Sequence, residues 1–210
     1  HGLMRSVTAV VLDLALDDAE KWYDKGVGVP VAINLFAPAV SDPELPNQIA
    51  RALDRRGLPP SALTVEITED LLLDNMGRAR LVFNKLRENG IRVAIDDFGS
   101  GYSALWYLRE FPVDEVKLDK EFIAPILTHP ASAAIVRAVI DLAHALGVTP
   151  VAEGVENAET ATRLLEYGCE IAQGFHFISA TNTDSDIAIR QITRYGKNHF
   201  FDLRFTIKRL

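Results

Sequence analysis

Cysteine is almost missing from this 210-residue sequence, in which Cys169 stands alone. One thiol excludes an internal disulfide framework and a four-cysteine zinc site, and it suits a reducing compartment. No run of about 18 apolar residues occurs, and residues 1–10 lack the basic-then-apolar layout of a signal peptide, so neither a spanning helix nor an export signal is read here. The expectation is a cytoplasmic domain whose parent protein could still be membrane-anchored. Positive charge is scarce as well: 22 Lys and Arg face 29 Asp and Glu, for a net charge of -7. That balance excludes broad electrostatic attraction to a nucleic acid polymer or an anionic membrane. The five histidines are too dispersed to form a metal cluster, and His144 reads as a satisfied helix residue. Trp22, Trp106 and Tyr107 read as packing or interface residues.

What is abundant is apolar, at 48% of the chain, enough for one globular core. Short apolar runs recur, and each ends on a polar residue: VAIN at Asn34, LTVE at Glu66, RVAIDD at Asp96 and Asp97, EVK at Lys117, VTPVAE at Glu153 and EIAQ at Gln173. Runs of this kind suit strands buried on both faces. Helical patterns lie between them, with Gly57, Gly90 and Gly147 as expected C-terminal caps. One of them, SAAIVRAVIDLAHALG, puts Ile135, Val139, Ala143 and Leu146 on one face. The strand ends are about 20 to 36 residues apart, room for a crossover helix each time. The alternation predicts a parallel sheet, flat or closed. In closed parallel barrels the chemistry collects where the strands end and the loops begin. The opening stretch HGLMRSVTAVVLDLAL reads as a helix already under way, so a portion of a longer polypeptide is expected.

The segments INLFA (33–37), VEITED (65–70), IDDFGSGYSAL (95–105), VKLDKEFI (116–123), VAEGVE (151–156) and AQGFHFISA (172–180) occur in this order. Together they closely resemble the EAL family of bacterial cyclic di-GMP phosphodiesterases, over roughly residues 1–180. The resemblance implies a modified TIM-type (β/α)8 barrel that hydrolyses cyclic di-GMP to linear pGpG with Mg²⁺ or Mn²⁺ at a two-metal site. It further implies Asn34, Glu66, Asp96, Asp97 and Glu153 as metal ligands, with Lys117, Glu153 and Asp97 in catalysis. Lys117 would hold the attacking water and offset charge on phosphorus. Hard oxygen donors suit such cations, and a pair of them can steady both the attacking and the leaving oxygen. Glu69, Asp119, Glu156 and Gln173 fall to supporting or substrate-binding roles, Glu69 as the tether of the IDDFGSGYSAL loop. Gly99 and Gly101 are the glycines expected to let that loop bring consecutive aspartates together. The partners implied are cyclic di-GMP, a second copy in a homodimer, and an upstream sensory or diguanylate cyclase domain.

Read alone, these residues have plainer explanations. Asn34 could cap a turn, Glu69 and Asp70 could open a helix, Lys117 could pair with Asp119, and Glu153 and Glu156 could sit at a helix start. The sequence also departs from the pattern. The strand carrying the family's E-A-L glutamate and the strand before it have no counterpart, which leaves about six of eight barrel strands and two open edges that something should cover. Ala180 replaces a usual proline. Residues 181–210 match no familiar motif and are expected to form a C-terminal helix and a basic tail. A degenerate receptor for cyclic di-GMP or for a protein partner is the competing reading, and a barrel aldolase using Lys117 as a Schiff-base amine is a third.

Overall fold

The computed structural model describes residues 2–26, 28, 30–68, 76–99, 104–176, 187–194 and 203–209. Six short parallel strands alternate with helices: β1 Val31–Asn34, β2 Leu63–Thr68, β3 Arg92–Phe98, β4 Glu115–Leu118, β5 Thr149–Ala152 and β6 Ile171–Gln173. These are the six runs read from the sequence. The helices are α1 Gly2–Asp24, α2 Ala37–Val40, α3 Leu45–Asp54, α4 Met76–Glu88, α5 Ala104–Glu110, α6 Lys120–Ile123, α7 Pro130–Ala145 and α8 Ala158–Glu166. None of the described helices is long and apolar enough to cross a membrane.

The strands pair in chain order, and their register explains why apolar runs finish in polar residues. Ile33 aligns with Val65, and Asn34 with Glu66, which in turn aligns with Ala94. Successive residues of a strand face opposite ways. One face, with Val31, Ile33, Leu63, Val65, Ile67, Val93, Ile95 and Val116, joins the main buried core with helix residues such as Leu16, Ile49, Phe83 and Leu86. The other face lines the barrel and holds small or polar residues. Burying each Val, Ile or Leu of the first face contributes about 1.5–3 kcal/mol, and that layer carries the fold.

The helix ends follow the sequence signals. Gly57, Gly90 and Gly147 all take positive φ, at 62°, 79° and 72°. The residue after each donates back across the turn, Leu58 to Leu53, Ile91 to Leu86 and Val148 to Ala143. Such caps turn the chain back toward β3 and β5 directly, and toward β2 through a 3-10 turn at Pro60–Ala62. The face of α7 is a correction: Val136, Ile140 and Ala143 are buried, whereas Ile135 and Leu146 are exposed. This helix is apolar nearly all round, so its sequence fixes the helical period but not its phase.

The C-terminal segment also differs from expectation. Where a helix was expected within 181–210, the described residues form strands β7 Ile187–Arg194 and β8 Leu203–Arg209. Half of β7 is β-branched, and LRFTIKR of β8 alternates apolar with polar, a two-residue period that a helix cannot use. β7 runs antiparallel to β6 and to β8, and β8 runs parallel to β1, with Val31 aligned to Phe205 and Ile33 to Ile207. The sheet thereby closes on itself. The two edges that six strands alone would leave open are paired by this segment.

Candidate active site

The polar strand ends converge inside one rim of the barrel. Lys117 on β4 is the centre, 1% exposed, with its ammonium 2.8 Å from Glu66 Oε1, 2.9 Å from Asp96 Oδ1 and 2.7 Å from Glu153 Oε1. Asn34 Nδ2 donates to Glu66 Oε2 at 3.3 Å. On the far side Gln173 Nε2 donates to Glu153 Oε1. Each of the six parallel strands, β1 to β6, therefore gives one member to a continuous polar network, with Glu153 placed one residue beyond β5. Asp97 adds a second acid at the end of β3.

Burial sets the electrostatics. Burial pushes the Glu66 carboxyl up to about 7 from 4.5; Lys117 opposes that rise, while Asp96 and Glu153 add to it. Burial alone would lower Lys117, but Glu66, Glu153 and Asp96 outweigh it and hold the ammonium well above its ordinary value. A buried ion pair persists only when its partners stay in place, since an uncompensated buried charge is costly. The lysine is therefore a fixed cation and a hydrogen-bond donor, not a base, and not the low-pKa amine that Schiff-base chemistry needs.

Asp96 and Asp97 meet although adjacent residues of a strand should diverge. Asp97 has φ 53°, a left-handed conformation unusual for a residue other than glycine, and the register between β3 and β4 shifts between Ile95 and Phe98. The resulting bulge turns both side chains to one side. Asp96, Asp97 and Glu153 each present a carboxylate oxygen within 4.8 Å of the others, a cluster able to hold a metal ion. Gln173 Oε1 is buried beside it and finds no hydrogen-bond partner among the described residues. Hard carboxylate and amide oxygens suit Mg²⁺ or Mn²⁺.

The expected glycines share this work with Asp97. Gly99 has φ 102°, and a β-carbon there would press on the Phe122 ring at 2.8 Å, so loop and α6 pack directly. Gly101 and Glu69 lie outside the described residues. Asp119 stands apart from the cluster and caps α6, accepting from Glu121 N at 2.6 Å. Glu156 is exposed on the loop after β5. Two rings not singled out from sequence stand at the same rim: Phe36, just past β1, and Phe175, just past β6, exposed by 40% and 73%. An aromatic residue two positions after a polar strand end was the available signal.

The profile of the EAL domain family matches residues 1–180. The signaling protein YkoW of Bacillus subtilis is 43% identical over 176 residues, 84% of this chain and 22% of YkoW. The cyclic di-GMP phosphodiesterase PdeR of Escherichia coli is 37% identical over 168 residues, 80% of this chain and 25% of PdeR. The chain thus spans a quarter or less of these two curated relatives. Among solved structures, the PaMucR phosphodiesterase in complex with c-di-GMP superposes with a TM-score of 0.78 at 34% identity, covering 87% of this chain and 74% of that one.

Proposed function

Because this chain belongs to the EAL domain family, we propose that it carries the catalytic centre of a metal-dependent phosphodiesterase that hydrolyses cyclic di-GMP to pGpG. The observation that carries this reading is the shared space of Asp96, Asp97 and Glu153 directly beside the buried Lys117 ammonium. Asp96, Asp97 and Glu153 would hold Mg²⁺ or Mn²⁺, with Glu66, Asn34 and Gln173 completing or orienting the set. Bound there, such a cation supplies Lewis acidity and an activated water.

The protein groups supply the rest. Water adds to one phosphorus as its bond to the 3′ oxygen breaks, leaving a 3′ hydroxyl and a 5′ phosphate on the linear product. Lys117 Nζ donates to the attacking water or to a phosphoryl oxygen, offsetting charge that grows in the transition state. Glu153 is placed to accept the proton of that water, and Gln173 holds its carboxylate in position. Phe36 and Phe175 offer flat apolar faces to guanine at the rim. The same reading includes a cytoplasmic homodimer packed through α5, where Trp106 is partly exposed against Phe111, and an upstream sensory or cyclase domain.

Incubation of the chain with cyclic di-GMP and Mn²⁺, followed by chromatography, should give pGpG, and Glu153→Gln should abolish it. Failure of both this chain and a longer natural version to produce pGpG overturns the proposal. One observation favours a second reading, binding without turnover: β8, which flanks Asn34's strand, is LRFTIKR and contributes no acid to the rim. Calorimetric binding of cyclic di-GMP with no product under the same conditions would establish that reading.

A further inference from the structure

Three carboxylates converge on the Lys117 ammonium, and two of them, Asp96 and Glu153, also belong to the trio that could hold a cation. A cation drawn to Asp96 and Glu153 competes with the ammonium for the same two carboxylates, because like charges repel strongly at close range in a site only 1% exposed. Glu66, 2.8 Å from Nζ and not a member of that trio, gives the ammonium a place to retreat.

We infer that Lys117 is a placeholder counter-ion, a positioning residue that keeps the acidic cradle assembled before metal arrives and is displaced toward Glu66 when it does. This rests on the metal-binding reading above and adds a function that the catalytic role does not require. Without such a residue, buried acids at this spacing would repel one another, take up protons or draw apart. With it, the chain folds metal-free, and the cost of displacing the ammonium lowers affinity for the cation. Loading is thereby made reversible.

The test compares Mn²⁺ binding to the full chain and to Lys117→Met, by calorimetry at a pH above the range where Glu66 holds a proton. The neutral variant should bind Mn²⁺ at least about tenfold more tightly, a shift of one decade in Kd. Lys117→Arg, which keeps the charge, should stay near the parent chain. Should Lys117→Met unfold without metal, Mn²⁺ should restore the fold, read by circular dichroism, and that also supports the inference. Equal or weaker binding by Lys117→Met overturns it, as does tight binding by Lys117→Arg, or a Lys117→Met chain that folds neither with nor without Mn²⁺. If neither the parent chain nor Lys117→Met binds Mn²⁺, the metal reading itself fails. Binding of equal strength by both defeats the counter-ion role alone.

Discussion

Asp96 and Asp97 are consecutive in the chain, yet both offer an oxygen to the same space within 4.8 Å, because Asp97 adopts φ 53° at a bulge in β3. A left-handed residue other than glycine costs about 1–3 kcal/mol and persists only where its surroundings enforce it. Asn tolerates that conformation, whereas a β-branched residue does not. Asp97→Asn should therefore fold normally and lose at least the roughly 10–100-fold in metal affinity or activity that a supporting partner is worth. Asp97→Val should be less stable in urea by about 1–3 kcal/mol as well. Equal stability of the two variants would contradict the strain.

Glu66 makes a pH prediction whose sign is fixed by its shift. Its folded value, about 7, lies above its ordinary 4.5, so the folded chain holds this proton more tightly than the unfolded chain. The stabilisation is fully present below about 4.5 and is lost as pH rises through about 7. Metal binding runs the other way, since a ligand carboxyl must give up its proton. The urea midpoint of the metal-free chain should fall as pH rises from about 4.5 to about 7 and level off above it, and Mn²⁺ affinity should rise over the same interval. Glu66→Gln should flatten the stability profile.

Cys169 is buried behind β5 and β6, its Sγ directed at the carbonyls of Pro150 and Ile171. Burial pushes the thiol up to about 12. It should resist maleimide at about pH 8 in the native chain and react at once in denaturant, because only the thiolate attacks. Rapid labelling of folded protein would place the residue elsewhere.

Gly174 follows Gln173 and lies against the backbone of Val155, whose N–H donates to Gln173 O at 3.1 Å. A β-carbon at this position would collide with the Val155 carbonyl and amide. Gly174→Ala should cost about 1–3 kcal/mol of stability through overpacking. It should also lower turnover by moving Gln173 off Glu153, while Gly77→Ala, with open space at its β-carbon, should be benign.

Much of this was legible in the sequence. Strands covered on both sides must be short and apolar, and a barrel that works at one rim must end them in polar groups, so Asn34, Glu66, Asp96, Lys117, Glu153 and Gln173 could be read in order. What the sequence did not carry was geometry set by distant parts of the chain. The turn of Asp97 depends on the shift against β4, the phase of α7 on which side meets α6 and β5, and the capping by Asp119 on where α6 begins. The strand character of 203–209 was visible in the alternation of Leu203, Phe205 and Ile207 with Arg204, Thr206 and Lys208.

The pairing of β1 with β8 has a consequence during synthesis. Val31 aligns with Phe205, so among the described residues the partner for that side of β1 leaves the ribosome about 170 residues later. Through that interval β1 is an exposed template for other nascent chains or for chaperones. A slow or paused ribosome upstream of codon 203 lengthens the exposure, and soluble yield should respond to translation speed there more than anywhere earlier in the message.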